Sequence, residues 1–387
     1  MRYDIAIIGG GIIGSAIAYY LTRDGRGGRV AVIERDNTYS EAATPRGSGG
    51  IRQLFSLQEN IEMARYGLSF YEDFDRTMAC KNQPTSISFR RQGYLFVSDG
   101  GNEKVMEKNF KAQQQLGVNA ELLDKNQLNQ LFPSIHNADI ELAVYSPDDA
   151  WIDAYSALNG FRSKARELGA LYLSEEVKSA TVSNKSIKAL NCHSGKTIEA
   201  DIIILAAGAW SGELAKCFDV KLPIEPMSRE SYFFRCETEL EPLPFIKTET
   251  DLAFRPEGNG YTGGMPDWGV KAGWDWELAP NRFEEIVWPA LAHRIPAMEV
   301  LKLDRTWRGH YSRNNLDYNA IIGSWINEPI NLHIATGFSG HGIMHAPATG
   351  LAISELLLDG RYQTMDLSKF GTKRVTNNTP YSELGIV

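Results

Sequence analysis

"DIAIIGGGIIGSAIAYYL", residues 4–21, admits two readings. Behind Arg2 the apolar run could serve as an export signal, with "SAIA" as its cleavage site. Alternatively it is a strand, a tight turn and a helix that together hold a pyrophosphate. The flanking residues decide. "YDIAII" (3–8) is a short β-branched run suited to a strand buried on both faces. It ends in Gly9-Gly10-Gly11, and Gly14 completes G-x-G-x-x-G. Ile12 to Leu21 reads as helix, "GRGG" (25–28) closes it, and "VAVIE" (30–34) is a second buried strand. That strand ends on Glu34, twenty positions after Gly14, where a carboxylate meets adenosine ribose hydroxyls. Gly9 allows the turn, Gly11 lets the backbone approach phosphate, and Gly14 lets the helix pack on the strand. Free N–H groups at the helix start then face the phosphate charge. The dinucleotide reading explains every part, so the segment belongs to the mature fold and the expected location is cytoplasmic.

Composition narrows the function. The 387 residues exceed one ordinary core and point to two domains. The net charge of −8 comes from mixed acidic and basic residues without a Lys/Arg run, which argues against nucleic acid. Cys80, Cys192, Cys217 and Cys236 form no C-x-x-C pair, which argues against zinc and a disulfide framework. No uninterrupted apolar run approaches the ~18 residues of a membrane span.

Along the chain, "SEAATPRGSGGIRQLFS" (40–56) is too glycine-rich for a helix, and a helix is expected from about Leu57 to Thr77. "ISFRRQGYLFVS" (87–98) alternates like a hairpin strand, and "EKVMEKNFKAQQQLG" (103–117) is an amphipathic helix. "DIIILAAGAWS" (201–211) is the most apolar strand and stops at Ala-Gly. From Leu222 to about Leu303, aromatic strands are expected at "SYFFRC", "LAFRP", "GYTGG" and "KAGWDW", with a helix near 282–293. The last third returns to strand, glycine turn and helix in "NLHIATGFSGHGIMHAPATGLAISELLLDG" (331–360). The expected architecture is α/β: a glutathione-reductase-type nucleotide domain from 1–85, 145–221 and 305–387, carrying an inserted antiparallel-sheet substrate domain from 86–144 and 222–304.

"IAIIGGGIIGSAIAYYL...VAVIE", "IIILAAGAWS" and "IATGFSGHGIMHAPATG", in this order over nearly the whole chain, resemble the D-amino-acid-oxidase-like FAD oxidoreductases. That group includes glycine oxidase, sarcosine oxidase and dimethylglycine dehydrogenase. "ERDNTYSEAAT", "GGIRQLFSLQEN" and "GFSGHG....APATG" look most like its branch with a mitochondrial FAD protein that assists respiratory complex I assembly. The resemblance implies non-covalent FAD. Gly9, Gly11, Ile12, Ile13 and Gly14 would wrap the pyrophosphate, with Ile33, Glu34 and Arg35 at the adenosine and Val177 at the adenine. Ala207, Gly208 and Trp210 would lie beside the phosphate and ribitol. Thr44 and the loop Arg46, Gly47, Ser48, Gly49, Gly50 would run along the flavin ring. Gly340, His341, Gly342, Ile343 and Met344 would meet its pyrimidine edge, where helix N–H groups favour the charge of reduced flavin.

The resemblance also implies oxidation of an amine C–N bond, with O2, a quinone or a protein as acceptor. Arg52 falls at the flavin-facing arginine of sarcosine oxidase. The residues that hold a substrate carboxylate in the family are replaced by Phe55, Met344 and Tyr311, and none of these can pair with a carboxylate in a dry pocket. Arg255 is a candidate substitute. A bulkier secondary amine or opine-like conjugate is therefore expected in place of glycine or sarcosine. His310 stands near the cysteine that tethers flavin in monomeric sarcosine oxidase. The alternatives are a flavoprotein that acts mainly by binding a protein partner, and an NAD-dependent opine dehydrogenase. Tryptophans 268, 274, 276 and 288 are read as packing.

Overall fold

The computed structural model describes residues 2–81 and 84–385. The apolar run after the first residues forms strand Arg2–Ile8, buried from Ile5 onward. It lies between Val30–Glu34 and Thr197–Leu205 and runs parallel to both. Leu171–Ser174 and Leu332–Thr336 extend the parallel array on either side. Such strands are covered on both faces, which is why they lack the polar alternation of a half-exposed sheet. Ile321–Ser324 adds an antiparallel edge, and a hairpin of Val177–Ser183 and Ser186–Cys192 joins the start of Thr197–Leu205.

Helices Ile12–Thr22 and Gly342–Asp359 cover one face. They approach closely at Gly350, where a Cβ would lie 2.6 Å from the Tyr20 ring and 2.9 Å from Ala16 backbone. Helix Gln58–Glu72 crosses Gly342–Asp359 at Gly67, where a Cβ would stand 2.1 Å from the Met344 carbonyl oxygen. These glycine contacts set where the helix start at Gly342 sits.

The second sheet has eight strands in the order Leu301–Asn314, Ile224–Cys236, Gly260–Gly264, Ala253–Glu257, Phe245–Thr248, Tyr94–Ser98, Leu142–Ser146, Glu121–Leu123. All neighbours are antiparallel except Phe245–Thr248 with Tyr94–Ser98. Leu301–Asn314 and Leu142–Ser146 run across the positions 304/305 and 144/145. The molecule is thus a mixed α/β fold with a parallel sheet and a largely antiparallel one.

Four expected elements differ. "SEAATPRGSGGIRQLFS" carries a one-turn helix, Ala43–Arg46, ahead of its glycines. "KAGWDW" forms no strand. Gly273 takes φ 145° and donates to the Pro226 carbonyl, and Asp275 N–H donates to His310 Nε2, so the segment is a strap bound edge-on. "ISFRRQGYLFVS" splits at Gly93 (φ 80°): Arg90–Arg91 pairs with Ala150–Trp151, while Tyr94–Ser98 joins the large sheet. The expected helix to Thr77 breaks at Asp73, whose carboxylate accepts from Arg76 and Thr77 and starts the short helix Phe74–Thr77.

Candidate active site

Strands Arg2–Ile8, Val30–Glu34, Thr197–Leu205 and Leu332–Thr336 all point their carboxyl ends at one edge, where ligands of open α/β sheets bind. Three loops meet there. Gly9 takes φ 101°, and a Cβ on it would come within 2.5 Å of the Ala206 carbonyl oxygen. Gly14 lies beneath, where a Cβ would stand 1.9 Å from the Gly9 carbonyl oxygen. At Gly11, the N-cap of helix Ile12–Thr22, a Cβ would meet nothing within 4 Å. That opening faces the helix N-terminus, which has no side-chain cap and no acidic residue in its first turn. The Glu34 carboxylate accepts from Gly10 N–H at 2.7 Å and Asp36 N–H at 2.8 Å, and burial raises its pKa.

These loops border a cavity of about 1290 Å³ that continues under the second sheet. The volume exceeds the usual small-ligand range of roughly 300–1,000 Å³ and suits a dinucleotide with a small molecule beside it. Every residue expected to touch the cofactor or substrate lines it except Gly14 and Arg255. Gly14 is packed under the turn. Arg255 is buried rather than exposed, and its guanidinium is taken up by the Ser48 carbonyl, the Pro256 carbonyl and Glu257. It therefore holds the 46–50 loop from behind and does not line the cavity. Within that loop Gly49 takes φ 70°, and a Cβ there would meet the Ile152 carbonyl oxygen at 2.0 Å. Arg46 donates to the Ser40 and Arg308 carbonyls.

Arg35 stacks over Trp210 at 4.1 Å, and Trp210 stacks on Trp274 at 4.4 Å. The packing expected of the tryptophans holds for Trp288, which lies against the core of the second sheet and donates to the Met298 carbonyl, whereas Trp274 and Trp276 are exposed and Trp268 is 59% exposed at the cavity rim. His310 is buried against Trp274 and Trp276, and burial lowers its pKa. Its Nε2 accepts from Asp275 N–H, and Nδ1 has no hydrogen-bond partner among the described residues.

Arg52 is buried, lies over the Phe55 ring at 4.0 Å, and reaches His341 Nε2 at 3.1 Å. Burial lowers the pKa of both, and the arginine charge lowers His341 further, so His341 is neutral and accepts. Beside them, Asp149 accepts from Gln53, and burial pushes its carboxyl up to about 7.

Lys178, Lys247 and Arg229 line the cavity and are absent from the sequence-derived candidates; the last two lie on the second sheet. Lys247, on Phe245–Thr248, is pushed down to about 7, first by burial and then by the charge of Arg52. Arg229, on Ile224–Cys236, donates to Tyr311 Oη at 2.5 Å. The only sequence signal for either is strand alternation, which aligns Lys247 with Phe245 and Arg229 with Met227 and Ser231.

Fold and site together are those of a dinucleotide-binding protein whose cavity continues under a second sheet. The family model described as FAD dependent oxidoreductase (DAO) matches residues 4–356, and the chain belongs to that family, with FAD as its cofactor. It is 34% identical to FAD-dependent oxidoreductase domain-containing protein 1 of Xenopus laevis, over 100% of this chain and 85% of the relative. It is 26% identical to 4-methylaminobutanoate oxidase (formaldehyde-forming) of Paenarthrobacter nicotinovorans, over 92% of this chain but 43% of that one. Among solved structures, L-proline dehydrogenase from P. horikoshii superposes with TM-score 0.88 at 27% identity, covering 98% of this chain and 99% of the other. Among the described residues no helix is long and apolar enough to cross a membrane.

Proposed function

We propose that this FAD-dependent oxidoreductase oxidises the C–N bond of a secondary amine or amino-acid-like compound other than glycine or sarcosine. The continuous cavity from the Gly9–Gly11 turn to the face of the second sheet carries the reading, because it offers a small molecule a place beside the cofactor. In this proposal Gly9, Gly11 and the first turn at Ile12–Ile13 hold the pyrophosphate, with Gly14 packed beneath. Ile33, Glu34, Arg35 and Val177 hold the adenosine, and Ala207, Gly208 and Trp210 the ribitol side. Thr44, the 46–50 loop and residues 340–344 hold the ring. The division into nucleotide and substrate halves belongs to the same proposal. FAD, when bound, supplies a hydride acceptor at the flavin ring.

The chain's own residues do the rest. Arg52 fixes the neutral His341 at the start of helix Gly342–Asp359. That helix start directs N–H groups at whatever negative charge develops there. Tyr94, Phe245 and Met344, buried at the cavity wall, exclude water from the chamber. The absence of a carboxylate-pairing residue at Phe55, Met344 and Tyr311 supports a substrate other than glycine or sarcosine. The name of the methylaminobutanoate-oxidising relative supports an N-substituted amine. O2, a quinone or a protein completes the cycle as acceptor. The free thiols at Cys80, Cys192, Cys217 and Cys236 support a cytoplasmic location.

The test is anaerobic mixing of the yellow holoprotein with primary, secondary and N-methyl amines while flavin absorbance is followed. Bleaching by a secondary amine, and none by glycine or sarcosine, is expected. No bleaching by any amine overturns the reading and favours a role in binding a partner.

A further inference from the structure

Away from the cavity, two histidines and an aspartate converge. His136 lies between helix Lys125–Leu131 and strand Leu142–Ser146, and His293 lies in the last turn of helix Trp288–Arg294. The two imidazole rings meet edge to face with centroids 5.0 Å apart. His293 Nε2 stands 3.0 Å from Asp139 Oδ2. One ligand atom from each of His136, Asp139 and His293 lies within 4.8 Å of the other two. None of the three residues lines the cavity. Among the described residues, no other histidine, cysteine or acidic side chains gather in this way.

Arg294, whose side chain is 2% exposed, holds the cluster from beneath. Its Nη1 donates to Asp139 Oδ1 at 3.0 Å and to the His136 carbonyl at 2.6 Å, and its Nη2 donates to Asp139 Oδ2 at 2.9 Å. His136 N–H in turn donates to the Arg294 carbonyl at 2.9 Å. The carboxylate and the His136 backbone are thereby fixed, as outer-shell partners fix the ligands of metal sites. Charge favours a cation. Arg294 is matched by the buried Asp99 and Lys125 by Glu141, which leaves the Asp139 charge over. Imidazole with carboxylate suits zinc and other late divalent transition ions, whereas magnesium and calcium prefer oxygen donors alone. Ligands ~2.0–2.1 Å from a tetrahedral zinc stand roughly 3.3 Å apart. His293 and Asp139 are already near that separation, and the partly exposed His136 closes on them by side-chain rotation.

We propose that His136, Asp139 and His293 bind a divalent transition-metal ion of the zinc type, which staples the 132–141 segment to the end of helix Trp288–Arg294. Each imidazole gives a nitrogen lone pair, the carboxylate gives one oxygen, and water takes the remaining position. His293 then presents Nε2 as the tautomer protonated at Nδ1. No cysteine takes part. The ion stabilises the folded chain, because residues 136 and 293 converge only when the chain is folded. The site stands apart from the amine-oxidising reading and carries no step of that reaction.

The experiment titrates zinc into the full-length FAD-loaded protein after EDTA treatment and desalting. Calorimetry is expected to show one tight zinc site per chain, and zinc is expected to raise the melting temperature. His136→Gln and His293→Gln are each expected to weaken binding tenfold or more and to abolish the thermal shift. Both side chains reach solvent, so neither change opens the core. Glu141→Gln, which neutralises a neighbouring exposed carboxylate outside the cluster, is expected to keep the wild-type affinity. Zinc-edge X-ray absorption of the loaded protein is expected to show imidazole scattering that diminishes in either histidine variant. No zinc uptake, uptake indifferent to both histidine variants, or magnesium binding as tight as zinc overturns the proposal.

Discussion

Arg52 Nη2 lies 3.1 Å from His341 Nε2, joining residues 289 apart in the chain inside one buried site. A guanidinium cannot accept, so the imidazole must, and its protonation would break the contact and bury a second cation.

That arrangement predicts the acid behaviour of the folded protein. His341 is held well below its usual range, His333 at about 4 and His345 at about 3, all mainly by burial, and His310 is lowered too. Between about pH 6.5 and 4.5 the unfolded chain binds protons on these four groups that the folded chain refuses, so stability falls as pH falls. Asp149 and Glu34, both raised, act in the opposite sense. Four groups against two leave a net loss of about 1.4 kcal/mol per pH unit for each unmatched proton. Urea midpoints at pH 7.5 and 5.5 check this, and a midpoint that rises on acidification contradicts it.

Gly11 and Gly14 separate cofactor binding from folding. A side chain at Gly11 meets open cavity, and its backbone at φ −62° suits any residue. Gly11→Val is therefore expected to fold with unchanged far-UV circular dichroism and to purify with little or no yellow colour. Gly14→Val, which drives a side chain into the Gly9 carbonyl, is expected to yield little folded protein. Retention of FAD by Gly11→Val would show that the pyrophosphate lies elsewhere.

His310 has its Nε2 engaged by the Asp275 backbone and its ring held against Trp274 and Trp276, so that only Nδ1 is open for a bond to flavin, and non-covalent FAD is expected. Acid precipitation is expected to release all the yellow chromophore into the supernatant. Colour that stays with the pellet would assign a covalent link.

The strap that replaces the expected "KAGWDW" strand is anchored by a buried ion pair. Arg308 binds Glu230, and both are over nine-tenths buried. Arg308 also meets Asp275 of the strap, and Glu230 accepts from Ala279 N–H. Glu230→Gln leaves the guanidinium with only the half-exposed Asp275. It is expected to cost about 3 kcal/mol, the lower end for breaking a buried pair. Thermal unfolding checks the loss, and increased protease cutting within residues 265–282 checks its location.

The amino-terminal turn was legible because its chemistry is local. A strand, a glycine at positive φ, a helix start and an acidic strand end lie within about thirty residues, and each residue type has one physical reason to be there. "IIILAAGAWS" and "GFSGHG" were legible for the same reason, and they border the same cavity. Arg255 and "KAGWDW" were not. An arginine on an alternating strand looks the same whether it faces water or the back of a loop, and a tryptophan-rich segment looks the same paired or strapped. Lys247 and Arg229 became part of the site only when strands about twenty residues apart took their register, which depends on long-range pairing and the packing of both sheet faces. Sequence alone determined the nucleotide fold, because close backbone contacts with a phosphate demand particular residues in a short span. Tertiary structure alone decided which charges enter the chamber, because burial and cross-strand register belong to no single stretch of chain.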